Sequence, residues 1–235
     1  MKLNLDREKI QTTIGKNTTT SYGLTVVIGL PFPAEINERI KDIQIQLESL
    51  APGRFTFYDL DHLHATLVAP LRGRYRASPP LQRTELPTNL RGFIRDLAHF
   101  FSQQQPYSIE LASLHITPEG FAMIGENSLI QQLAVKLERY PELDPAKYLK
   151  GIHVAIGFFN TPQPFATYEE QGLFEAALTQ LRSIPVGQVM VQQVWLVHYA
   201  NRTLNHIVGK VSFSLGKPNI ITIENLLQKV GIFNI

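Results

Sequence analysis

Between Ala34 and Leu50 the apolar residues Ile36, Ile40, Ile43, Leu47 and Leu50 recur at helical spacing, with Glu, Lys and Arg between them. Ala51-Pro52-Gly53 closes the run. The pattern predicts an amphipathic helix over 34–50 with one face in a core. The same period returns from Asn89 to Gln104, where Leu90, Phe93, Ile94, Leu97 and Phe101 form the expected inner face. Two further helices are marked by their starts. Ser128 and Gln131 have capping-box spacing ahead of a helix to Tyr140, and Thr167 and Glu170 have it ahead of one to Leu181. Thr222 to Val230 reads as a short helix near the end of the chain.

Other segments change period. Ser21 to Leu30 is rich in β-branched residues and stops at Pro31 and Pro33, as a strand ended by proline would. Phe55 to Val68 reads as a strand bent at Asp59 or Asp61. Tyr107 to Ile116 and Gly120 to Ile124 predict a hairpin around Thr117-Pro118-Glu119-Gly120. Gly151 to Phe159 predicts a further strand. Gly187 to Tyr199 and Ile207 to Leu215 predict two more, joined through Ala200 to His206. Pro70 to Pro87 is expected to be a long loop. Mixed helices and strands with no low-complexity linker argue an α+β fold. The expected organisation is a mobile lead-in or added edge strand over 1–20, one domain over 21–216 and a tail over 217–235.

Two of these strands share an unusual alternation. Successive strand side chains point to opposite faces. In the first, His62, His64 and Thr66 share a face opposed by Leu63, Ala65 and Leu67. In the second, Gly151, His153, Ala155 and Gly157 share a face opposed by Ile152, Val154, Ile156 and Phe158. Each strand thus has one apolar face and one face of histidine with small or hydroxyl neighbours. A core fills such a face with bulk, whereas a cleft leaves it open, so the pair reads as the floor of an active site.

Composition narrows the chemistry. The chain has 235 residues, 44% hydrophobic and 18% charged, an ordinary globular balance. It has no cysteine, which excludes disulfides, thiolate metal sites and cysteine nucleophiles and fits a cytoplasmic setting. Met1 to Ser21 lacks the apolar core of a signal peptide, and no apolar run reaches the roughly 20 residues of a membrane helix. A net charge of +2 does not by itself argue nucleic-acid binding.

Two His-x-(Thr/Ser)-apolar motifs on strands roughly 90 residues apart define the two-histidine (2H) phosphoesterases. The sequence resembles that superfamily. His64-Ala65-Thr66-Leu67 matches in full and His153-Val154-Ala155-Ile156 in part, with Ala155 where the family has Thr or Ser. The resemblance runs from the strand near Leu24 to the hairpin ending near Leu215. It implies a bilobal α+β fold of two antiparallel sheets related by a pseudo-twofold axis, with helices on the outer faces. The histidines would face each other across a cleft. Relatives include the RNA ligase-like proteins named for 2′,5′ linkages and the cyclic nucleotide phosphodiesterases.

Opening a 2′,3′-cyclic phosphate or cleaving a 2′,5′ phosphodiester needs one group to take a proton and another to give one. Two imidazoles meet that need without a cofactor or metal. The expected acid–base pair is His64 and His153, with either in either role, and ligation would use the same pair. Thr66, Tyr199, Arg202, Arg72 and Arg74 are candidates for holding substrate phosphate, and Tyr75 among Arg72, Arg74 and Arg76 offers a stacking surface. His62 is expected on the cleft wall. His62 and His64 also have the spacing of two metal ligands, but no third ligand stands at a familiar distance in sequence. His99 and His115 read as structural or surface residues, and Trp195 as a core residue rather than a stacking platform. The expected partners are RNA ends or a small cyclic phosphonucleotide, with no membrane, for a monomer. Ala155 leaves open a second reading, a binding module of the same fold with weakened catalysis.

Overall fold

The structure is a computed structural model that describes residues 3–75, 89–125, 129, 132–133, 135, 139–140, 152–182, 184–218 and 221–232, with 71–75 described by their backbone. Residues 7–18, expected as a mobile lead-in or edge strand, instead form helix α1 (Arg7–Thr18). The Asp6 side chain caps it by accepting the Lys9 N–H at 3.0 Å, and Ile10 is fully buried. Strand β1 (Tyr22–Gly29) and helix α2 (Ala34–Leu50) follow as the pattern predicts. Ile36, Ile40, Ile43 and Leu47 are buried, whereas Leu50 at the end of α2 stays exposed.

The predicted strand over 55–68 divides. Strand β2 (Phe55–Phe57) ends before a single 3-10 turn, Leu60–His62, and strand β3 (His64–Tyr75) begins after it. The Asp59 carboxylate accepts the Asp61 N–H at 3.1 Å and holds the turn. β3 then runs through Pro70 into the segment expected as loop. Its pairing with β1 shifts register around Pro70, a residue with no N–H to give the ladder. Residues 76–88, with Arg76 and Arg83, lie outside the described residues.

Helix α3 (Leu90–Ser102) precedes strands β4 (Tyr107–Leu111), β5 (Ser113–Ile116) and β6 (Gly120–Gly125). The run expected as one strand over 107–116 breaks at Ala112. β5 and β6 form the predicted hairpin, while β4 leaves to pair elsewhere. Most of the helix expected over 128–140 lies outside the described residues; within it Leu129 and Leu133 are helical and buried. Strand β7 (Ile152–Phe159) comes next, then helix α4 (Tyr168–Leu181), whose Thr167 hydroxyl accepts the Glu170 N–H at 3.1 Å. The run over 187–199 breaks at Gln192 into β8 (Gly187–Val191) and β9 (Gln193–Tyr199). Strand β10 (Ile207–Ser214) and helix α5 (Ile223–Lys229) complete the chain, and α5 buries Leu226 and Leu227.

The class is α+β with antiparallel sheets. One sheet runs β10-β9-β1-β3-β7-β6-β5 with β2 on β7, and β4 pairs β8 separately. Its two halves, β10-β9-β1-β3 and β7-β6-β5, meet at a seam where Ala65 of β3 pairs antiparallel with Val154 of β7. Ala65 and Val154 are fully buried on the core face. Behind β7 the core is aromatic, with the Phe55 and Phe121 rings in contact with each other and each in contact with Phe159 and Phe174. Gln44 of α2, buried, donates to the Tyr58 and Ile156 carbonyls at 3.0 Å each and so ties the turn ahead of β3 to β7. Among the described residues no helix is long and apolar enough to cross a membrane.

Candidate functional site

An antiparallel pair has local twofold symmetry, and residues equally displaced from the pairing point occupy equivalent places. His64 immediately precedes Ala65, and His153 immediately precedes Val154. The seam therefore puts the two histidines in equivalent positions on adjacent strands, facing away from the core. Thr66 and Ala155, one residue beyond the paired positions, are equivalent in the same way. All four are half-buried and line one cavity of about 390 Å³. The alternation read from sequence thus becomes the floor of a concave site.

The 3-10 turn fixes the first imidazole. His64 Nδ1 lies 2.9 Å from the His62 carbonyl oxygen. A carbonyl only accepts, so Nδ1 carries the hydrogen and a neutral ring presents its lone pair at Nε2. Burial disfavours the charged ring and pushes its pKa from 6.5 to about 4, against the smaller raising effect of the His62 carbonyl. His153 is also held below its ordinary value, first by burial and then by the charge of His115.

His62 does not share the cavity face. It stands in the turn rather than the strand, with Nδ1 3.4 Å from an Asp59 carboxylate oxygen. The expected cleft-wall role fails because the strand begins only at His64, so the alternation does not extend back to His62. Its backbone carbonyl, not its ring, serves the site. Among the described residues no three His, Asp or Glu side chains cluster as metal ligands.

Tyr199, buried at the end of β9, and Arg202, exposed in the loop after it, both line the cavity. Thr25 of β1 joins them from the strand between β3 and β9. Arg72 and Arg74 belong to β3 by their backbone, and their side chains lie outside the described residues.

Several lining residues escaped the sequence reading. Helix α1 contributes Thr13, Lys16 and Asn17, and Tyr58, Thr117 and Glu119 complete the wall. Asn17 hydrogen-bonds the Tyr58 hydroxyl, whose pKa burial raises while the Arg202 charge and this bond oppose the rise. The signal for α1 was present in Asp6, an N-cap residue ahead of Arg7-Glu8-Lys9, and in Ile10 and Ile14 at i, i+4. Lys16 and Arg202 give the cavity two cations against the single carboxylate of Glu119 among its described lining residues.

No family model and no curated protein matches the chain. It is similar in structure to TT0787 of Thermus thermophilus, at a TM-score of 0.55 and 16% identity, over 84% of this chain and 100% of that one. It is likewise similar to ATU0111, a conserved protein of unknown function from Agrobacterium tumefaciens str. C58, at 0.51 and 15%, over 87% and 88%. E. coli LigT complexed with NADP+ aligns at 0.45 and 12%, over 82% and 98%. The first two likenesses establish a shared fold.

Proposed function

We propose that this chain is a 2H-type phosphodiesterase acting on a 2′,3′-cyclic phosphate or a 2′,5′-type phosphodiester of RNA ends or a small nucleotide. The observation that carries the reading is the seam. It sets the histidines of two similar motifs at equivalent positions on the floor of one cavity, with Thr66 on the same face. His64, with Nδ1–H tied to a carbonyl, takes the proton of the attacking hydroxyl or water at Nε2. His153 delivers a proton to the leaving oxygen, and Thr66, Lys16 and Arg202 hold the phosphate as charge develops. Because two imidazoles carry both proton transfers, turnover is expected to persist in chelator.

His64→Gln and His153→Gln test the reading. General acid–base groups contribute about 10²–10⁴-fold, so each variant is expected to lose that much kcat on a 2′,3′-cyclic nucleotide. Turnover undiminished in both variants would overturn it. Ala155 favours a second reading, a phosphate-binding module, because one cavity-floor position of the pair has no hydroxyl. That reading predicts saturable binding of a cyclic nucleotide by the wild type with no product formed.

A further inference from the structure

The proposed base leans on a carbonyl that packing does not hold. His64 Nδ1 meets the His62 carbonyl oxygen at 2.9 Å, and His62 is the last residue of the 3-10 turn. No residue of that turn is buried, so hydrogen bonds set the direction of its carbonyls. The segment is clamped at both ends. On one side the Tyr58 N–H donates to the Ile156 carbonyl at 3.1 Å, and Gln44 donates to that carbonyl and to the Tyr58 carbonyl. On the other side the Leu63 carbonyl accepts the Leu30 N–H at 3.0 Å. Between the clamps the backbone makes two bonds of its own. The His62 N–H donates to the Asp59 carbonyl at 3.0 Å, and the Leu63 N–H to the Leu60 carbonyl at 3.4 Å. The second is long, and bond geometry in a 3-10 turn is poor to begin with. A third bond comes from a side chain, where an Asp59 carboxylate oxygen accepts the Asp61 N–H at 3.1 Å. The other carboxylate oxygen lies 3.4 Å from His62 Nδ1, across the same turn.

Asp59 therefore heads a short series of contacts, from its carboxylate to the turn, from the turn to the His62 carbonyl, and from that carbonyl to the His64 ring. Which nitrogen of a neutral imidazole carries the hydrogen is set by the bond the ring makes. With Nδ1–H held by the carbonyl, Nε2 is left as the acceptor that a base needs. With the carbonyl turned away, the hydrogen is free to sit on Nε2, and the ring takes no proton there. We infer that Asp59 is a positioning residue for His64, the acceptor that caps the turn and so fixes the imidazole in its Nδ1–H tautomer. This role rests on the proposed use of His64 as base. It calls for an acceptor oxygen rather than a charge, because the group it answers is a backbone N–H.

The Asp59 side chain is 59% exposed, so replacing it leaves the core intact. Asp59→Ala removes the cap, and Asp59→Asn keeps an acceptor oxygen in the same place. Loss of a capping side chain corresponds to about 2–30-fold. In Asp59→Ala, kcat on a 2′,3′-cyclic nucleotide is expected to fall by that factor with KM little changed, and Asp59→Asn to restore it. Nitrogen NMR of the labelled His64 ring at neutral pH reads the tautomer in the free protein. Wild type and Asp59→Asn are expected to show Nδ1–H, and Asp59→Ala a mixture with Nε2–H. A tautomer unmoved in Asp59→Ala overturns the inference, whether Tm or KM changes or not, because a merely structural cap or a substrate contact would leave the free ring as it is. An Asp59→Asn variant as impaired as Asp59→Ala overturns it as well. A shifted tautomer at full rate upholds the positioning and removes His64 from the role of base. If the wild type hydrolyses no cyclic nucleotide, the phosphodiesterase reading falls and the ring spectrum alone decides. A shift in Asp59→Ala then upholds the positioning, and no shift overturns it.

Discussion

Ala65 and Val154 pair across the seam between β3 and β7, and neither touches the cavity. Their pairing nevertheless decides which side chains face the cavity, because a slip of one residue would turn every side chain of one strand to the other face. His153 would then point into the aromatic core and Val154 into the cavity. The site is specified by two small apolar residues that fix the register of the residues beside them.

The depressed pKa values give a pH profile. The proposed reaction needs His64 neutral and His153 charged, and burial holds both below 6.5 in the free protein, His64 at about 4. The bell of kcat/KM is therefore expected to peak below pH 6.5, with His153 setting its basic limb. A bound phosphate favours imidazolium, so the kcat optimum should lie at higher pH. Initial rates measured from pH 4 to 9 check this, and a kcat/KM optimum above pH 7 contradicts it.

The same shift appears in stability. Below pH 6.5 the unfolded chain protonates His64 first, while the native ring stays neutral down to about 4. The native state therefore loses stability as pH falls through that window, and regains it as pH rises. His64→Gln removes this linkage. Thermal melts should show Tm falling less steeply from pH 6.5 to 4 in the variant than in the wild type.

Ala155 is equivalent to Thr66 across the seam, yet carries no hydroxyl. A single preorganised donor is worth about 10²–10³ in rate in well-studied oxyanion sites. Thr66→Val is expected to lower kcat by that order, and Ala155→Thr to raise it. A wild-type rate unaltered by either change, measured at saturating cyclic nucleotide, would remove the phosphate role from this pair of positions.

Helix α1 is anchored by Ile10, which is fully buried, and supplies Lys16 and Asn17 to the cavity. Ile10→Ala should cost about 2–5 kcal/mol of stability if the helix is an integral part of the native state. It should also raise KM as the wall loosens. Denaturant melts and steady-state rates together report both effects.

Much of this was legible because period and burial coincide. The stripe from Ile36 to Leu47 and the alternation around His64 and His153 name their own elements, since each buried face is continuous. The breaks at Ala112 and Gln192 are written in a change of phase rather than in any turn residue. The buried positions pass from Ile109 and Leu111 to Leu114, and from Val189 and Val191 to Val194 and Leu196, so one residue is out of step at each break where β4 goes to β8 and β5 to β6. Helix α1 stayed hidden because its buried stripe is short and its neighbours are threonine, lysine and asparagine, which read as solvated coil. His62 was misplaced for a local reason: Asp59 closes a turn there, and no alternation survives a turn.

Strand β1 lies between β3 and β9, with Leu24 paired to His198. During synthesis β1 can zip onto β3 early, but its other edge must wait for nearly the whole chain. At about 5–20 residues per second that interval is roughly 10–35 s. Until then the nascent protein carries a bare, largely apolar strand edge, and the wall bearing Tyr199 and Arg202 does not yet exist. The newborn chain has no complete cavity, and it is most exposed to mispairing with its neighbours on a polysome at the stage when β1 waits for β9.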